Sequence, residues 1–128
     1  METLALDQNT ISDEGTSALG NALTQNTALK HLSLGFNGRI TASGWVLFST
    51  SLENSDNSTL EVLVLRHSRI DYRGLVALAN ALATNTGLKE LNLRCTRHAD
   101  NIGWPPIIIA LCTTPSVHSR SQTLMIPV

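Results

Sequence analysis

Leu29-Lys30-His31-Leu32-Ser33-Leu34, Leu60-Glu61-Val62-Leu63-Val64-Leu65 and Leu88-Lys89-Glu90-Leu91-Asn92-Leu93 are one pattern, Leu-x-x-Leu-x-Leu, written three times. The opening Met1-Glu2-Thr3-Leu4-Ala5-Leu6 is the same unit with Met in first place. The middle leucines Leu4, Leu32, Leu63 and Leu91 stand 28, 31 and 28 residues apart. Self-similarity at such a period marks a stack of repeats, in which no single unit can bury its own apolar face. A longer period overlies the first. At an offset of 59, Gly15–Leu34 and Gly74–Leu93 agree at twelve of twenty positions, and Gly44-Trp45 falls on Gly103-Trp104. The chain therefore reads as two copies of a two-repeat block, the second losing the pattern after Trp104.

Each unit changes its hydrophobic period partway. Leu-x-Leu alternates, as a short strand does. A polar turn follows, and then a helical spacing. Leu75, Leu78, Ala79 and Leu82 lie on one face of a helix. Ala18, Leu19, Ala22 and Leu23 give a similar stripe in the first unit. In the second, Val46, Leu47 and Leu52 with Trp45 and Phe48 do so less cleanly. The spacing predicts strands near 2–6, 30–34, 61–65 and 89–93, and helices near 13–25, 42–54, 72–84 and 103–112.

The predicted helix starts align. Ser12, Thr41, Asp71 and Asp100 share a column and are good N-cap residues. Gly15, Gly44, Gly74 and Gly103 follow three places later. Gly is not favoured inside a helix, so its recurrence predicts a close backbone approach there. Asn26-Thr27, Asn57-Ser58-Thr59 and Asn85-Thr86 read as the polar return to the next strand. Trp45 and Trp104 read as large plugs between helix and sheet.

Composition narrows the function classes. The 128 residues carry a formal charge of −1, with 15% charged and 42% hydrophobic residues. A near-neutral chain lacks the basic face of a nucleic-acid module. Twenty leucines against 4% aromatics mean a leucine-built core. No apolar run is long enough for a membrane span, and no leader is visible at the N-terminus. Two cysteines, Cys95 and Cys112, make no disulfide framework, so a reducing, intracellular and cytoplasmic setting is expected.

At these residues the chain resembles the leucine-rich repeat family, most of all its ribonuclease-inhibitor-like subclass, whose repeats carry a full helix. The family pattern Leu-x-x-Leu-x-Leu-x-x-Asn stands here as Leu29…Leu32-x-Leu34-x-x-Asn37 and as Met1…Leu4-x-Leu6-x-x-Asn9. Ser68 and Thr96 replace the Asn in units three and four, where a hydroxyl can still serve the turn backbone but a weaker amide ladder is expected. The resemblance implies an α/β solenoid with parallel strands on the concave side and helices on the convex side. Units are expected at 1–28, 29–59, 60–87 and 88–112, with 113–128 an irregular tail. The array is expected to be a piece of a longer one, because the repeat begins inside a strand and fades after Trp104.

Inward leucines leave the intervening residues on the concave face. They form rows across the units: Thr3, His31, Val62, Glu90; then Ala5, Ser33, Val64, Asn92; then Asp7, Gly35, Arg66, Arg94; then Gln8, Phe36, His67, Cys95. The candidate binding residues are Phe36, Arg66, His67, Arg94 and Cys95 at the strand ends, since aromatics and Arg dominate interface hot spots. The competing reading makes them ordinary strand residues, with Phe36 folded over the edge of the core. A further row, Glu2, Lys30, Glu61, Lys89, alternates in sign and is expected to support register.

Catalytic readings are weak. Cys95 and His67 would be neighbours, yet no orienting acid or oxyanion hole accompanies them. Cys95, His67 and His98 lack metal-site spacing, so no metal or cofactor is expected. Asn57-Ser58-Thr59 matches a glycosylation acceptor but is expected to be inert. The expected role is a non-enzymatic module that binds another protein, with no nucleic acid, membrane or small-molecule substrate. The alternatives are a GTPase regulator, from the resemblance to Ran GTPase-activating proteins, and an inactive fragment.

Overall fold

The computed structural model describes residues 1–53, 59–85 and 87–94, together with the backbone of 123–125. Along the chain run β1 (Thr3–Ala5), α1 (Asp13–Thr24), β2 (His31–Ser33), α2 (Ala42–Glu53), β3 (Val62–Val64), α3 (Tyr72–Thr84), β4 (Glu90–Asn92) and β5 (Thr123–Met125). The strands form one parallel sheet in the order β1-β2-β3-β4-β5. Its register aligns Leu4, Leu32, Leu63 and Leu91 side by side. The helices pack in sequence, α1 on α2 and α2 on α3. The chain is thus an α/β leucine-rich-repeat solenoid.

The leucines turn inward. Leu32, Leu34, Leu63, Leu65 and Leu93 are buried almost completely, and Leu75, Leu78, Ala79 and Leu82 of α3 join the same core. In α1 the buried face is not the expected stripe. Thr16, Gly20 and Leu23 are buried, Leu19 is half-buried, and Ala18 and Ala22 face solvent. The reason is lateral packing. A Cβ on Gly20 would lie 3.0 Å from Ser51 and 3.3 Å from the Phe48 backbone, so α1 leans on α2 through its smallest residue. In α2 the buried residues include Trp45, Phe48 and Leu52, whereas Leu47 is exposed and Val46 half-buried. Trp45 is the expected plug: it meets Phe48 edge-on at 6.1 Å. Its indole Nε1 is buried with no acceptor among the described residues. Trp104 and the helix expected near 103–112 lie outside the described residues.

Two of the helix caps form as expected. The Gly15 amide donates to Ser12 Oγ at 3.4 Å and the Gly74 amide to Asp71 Oδ1 at 3.0 Å. Thr41 behaves differently. Its N–H and O–H donate to the Asp13 carboxylate, at 2.6 and 2.5 Å, so the entry to α2 is tied to the first turn of α1. Asp100 lies outside the described residues. The glycine column does reflect close approach. A Cβ on Gly74 would lie 2.9 Å from Ile70 Cγ2 and 3.2 Å from Trp45 Cβ.

The turn residues join repeat to repeat. Buried Asn37 donates from Nδ2 to the carbonyls of Leu6, Leu34 and Gly35 at 2.9, 3.0 and 3.2 Å, and accepts from the Ile11 amide at 3.4 Å. Ser68 does not replace it. Its Oγ is buried and has no hydrogen-bond partner among the described residues, because one carbon of side chain is too short to reach those carbonyls. In the return loops, Asn26 Oδ1 accepts from the Ala28 and Leu29 amides, and Asn85 Oδ1 from the Gly87 and Leu88 amides.

The stretch 113–128, expected to be irregular, contains β5. Leu124 takes the register of Leu91. The outer edge of β4 is an unpaired row of backbone donors and acceptors, and a strand that closes it removes that liability. The signal was Ser121…Leu124-x-Ile126, which has the repeat spacing with two of its three leucines replaced.

Candidate functional site

The site begins with the backbone. Gln8, Phe36 and His67 occupy one repeat position and all have positive φ, at 57°, 58° and 55°. Non-glycine residues enter this left-handed region seldom, so the surrounding structure must hold them there. It does so through rungs that run past the strands. The Gln8 amide donates to the Gly35 carbonyl, the Phe36 amide to Arg66 and the His67 amide to Arg94, at 3.0, 3.1 and 3.0 Å. The left-handed turn ends each strand and leaves its side chain exposed.

That conformation brings three of the five expected binding residues together. Phe36 and His67 stack with centroids 4.1 Å apart and planes 15° from parallel. The Arg66 guanidinium lies 5.4 Å from the Phe36 centroid, within cation–π range. Arg94 is exposed and follows Arg66 along the row, its amide bonded to Asn92 Oδ1 at 3.0 Å. Cys95 lies outside the described residues, and with it the Cys95–His67 pairing. Phe36 is 37% exposed.

Sequence reasoning did not single out Asp7, Gly35, Gly38 and Arg69. Asp7 Oδ1 is shielded from solvent, and its one ionic neighbour among the described residues is Arg66 Nε at 3.9 Å. Gly35 permits this approach: a Cβ there would lie 2.6 Å from Asp7 Oδ1 and 3.0 Å from Arg66 Cγ. The row Asp7, Gly35, Arg66 carried the signal, an acid and a base flanking a glycine. Phe36, Gly38, His67 and Arg69 line a groove of about 260 Å³ at the same edge.

The alternating row stands at the opposite end of the strands. Lys30 Nζ meets Glu2 Oε1 at 2.9 Å and Lys89 Nζ meets Glu61 Oε1 at 3.0 Å. Backbone rungs of 2.7–2.8 Å, from the Lys30, Glu61 and Lys89 amides, join the same positions. The hydrogen bond from Lys30, aided by its charge, holds the Glu2 carboxyl below its ordinary pKa. The same bond and the charge of Glu2 raise Lys30, with a further contribution from Glu61. Among the described residues no three His, Cys, Asp or Glu side chains converge as a metal site, and no helix is long and apolar enough to cross a membrane.

The family model described as Leucine Rich repeat matches residues 1–20, 25–49 and 56–79. The chain belongs to the leucine-rich repeat family. No curated protein matches it in sequence. Among solved structures it is similar to leiomodin-1 actin-binding site 2, with a TM-score of 0.81 and 21% identity over 98% of this chain and 70% of that one. It is also similar to the tropomodulin C-terminal domain of Caenorhabditis elegans, with a TM-score of 0.72 and 16% identity over 98% of this chain and 73% of that one. At such identities the likeness is one of fold.

Proposed function

We propose that this repeat array is a non-enzymatic protein-interaction module of the ribonuclease-inhibitor-like type. It acts in the cytoplasm, through the concave sheet face and the strand-end row of Phe36, Arg66, His67, Arg94 and Cys95. The observation that carries this reading is the exposed Phe36–His67 stack with Arg66 beside it, on backbone held by rungs from both neighbouring strands. Aromatic and Arg side chains contribute most where they are already ordered, because little rotamer freedom is then lost on binding. Five strands at about 4.8 Å spacing span about 19 Å. That is small against the roughly 800 Å² per partner of a stable interface, so affinity from this surface alone is weak.

The double variant F36A/R66A tests the reading. It removes the aromatic and the cation and leaves the leucine core intact. Leiomodin-1 is described by its actin-binding site, so actin is the first defined partner to try, by co-sedimentation. Affinity capture with the whole chain is the second arm. The expected result is a partner held by the wild type and lost by a variant whose melting curve is unchanged. A partner held equally by both would overturn the reading. The GTPase-regulator alternative has no residue of this chain to support it.

A further inference from the structure

The groove at the strand-end edge differs in charge from the rest of the molecule. The chain as a whole carries −1, yet Arg39, Arg66, Arg69 and Arg94 all follow the strands on this side and are exposed. Arg66 has Asp7 near it, Arg73 of α3 has Asp71, and the two lysines have Glu2 and Glu61. Arg39, Arg69 and Arg94 have no carboxylate within 4.0 Å among the described residues. The stacked Phe36 and His67 side chains line the groove together with Arg69. Gly38 leaves another side open: a Cβ there would meet nothing within 4 Å.

Resting on the docking role proposed above, we propose that this groove seats an acidic side chain from an extended segment of the partner protein. Its carboxylate meets Arg69, and its methylene stem lies along the Phe36–His67 stack. Size supports one side chain with some of its backbone. At about 260 Å³ the groove is below the roughly 300–1,000 Å³ of small-molecule sites. Charge favours a carboxylate peptide over a nucleic acid. A strand of phosphates would run beyond a groove that holds one side chain, onto a chain whose formal charge is −1. Cation–π contact with Arg66 holds the Phe36 ring in place as a preformed wall.

The test is a titration of the whole ¹⁵N-labelled chain with three probes: capped penta-glutamate, capped penta-glutamine and a five-nucleotide oligothymidylate. Penta-glutamate is expected to shift the Gly38 and Arg69 amides, and penta-glutamine to leave them in place. R69A should weaken penta-glutamate binding about three- to fivefold, the scale of one exposed ion pair. R73A, whose arginine lies outside the groove, should bind like the wild type. Equal shifts with penta-glutamine, shifts confined elsewhere, or oligothymidylate binding as tight as the peptide would each overturn the proposal. Failure of the groove and failure of the docking role separate cleanly. A captured partner lost by F36A/R66A but held at full strength by R69A removes the acidic-anchor assignment and keeps the docking surface. A partner unaffected by F36A/R66A, with penta-glutamate still shifting Gly38, removes the docking surface and keeps the groove.

Discussion

The same repeat positions are filled twice, once in the middle of the array and once at its β1 face, with different results. Leu32, Leu34, Ile40 and Phe48 are at most 1% exposed. Their counterparts Leu4, Leu6, Ile11 and Leu19 are only partly buried and line or adjoin an open groove of about 430 Å³. The side chains are alike. What differs is the number of neighbours: the β2–α2 unit has a repeat on each side, whereas the described residues place one only on the β2-facing side of β1–α1. Burial in this fold is therefore supplied by the adjoining unit rather than by the unit itself.

The largest test of that contrast is a matched pair of truncations. L34A should destabilise the chain by about 2–5 kcal/mol, the range for a fully buried leucine, and L6A by less than half as much. Urea midpoints measure both. Equal losses would mean that the β1 face is as well packed as the interior.

The next test exchanges the turn residues that bridge repeats. Asn37→Ala removes the buried amide that ties carbonyls of two units together and should cost about 1–3 kcal/mol. Ser68→Asn should stabilise by about 1 kcal/mol, by giving the buried position an amide that can reach its neighbours. Both are read from denaturant midpoints. A destabilised Ser68→Asn would show that the shorter loop from Ser68 to Ile70 cannot admit the longer side chain.

The smallest effect belongs to the exposed charge ladder. Glu2 has a lowered pKa, so its contribution is present above its unfolded value, near 4.3, and fades as pH falls through the folded value. Lys30 has a raised pKa, so its contribution is complete below its unfolded value, near 10.4, and fades as pH rises through the folded one. Between those limits the pair contributes a constant amount. E2Q should therefore lower the melting temperature slightly at pH 7 and leave it unchanged near pH 2. An equal effect at both pH values would mean that the ion pair plays no part.

Strands β1 to β4, their register and the first three helices could all be read from leucine spacing, because that pattern is the core itself. What the spacing hid was lateral. Asp13 lies in the first turn of α1 and also holds Thr41 at the start of α2. Gly20 belongs to no motif and is a contact to α2. Such contacts join residues about 30 apart that share no motif. At the candidate site, the row holding Phe36 and His67 followed from the repeat. Their stacking did not, because it depends on a left-handed turn that neither residue type announces. Arg69 was missed for a related reason: it sits in a loop whose length changes between units, outside any row that could be written across them.

Gln8, Phe36 and His67 share one backbone shape and have nothing else in common: an amide, a hydrocarbon ring and an imidazole. The hydrogen bonds that hold the shape come from main-chain atoms, so three chemically different side chains share it. These corners are the part of the molecule free to vary. A new specificity could be written there one residue at a time, in type already set, without disturbing a single leucine behind it.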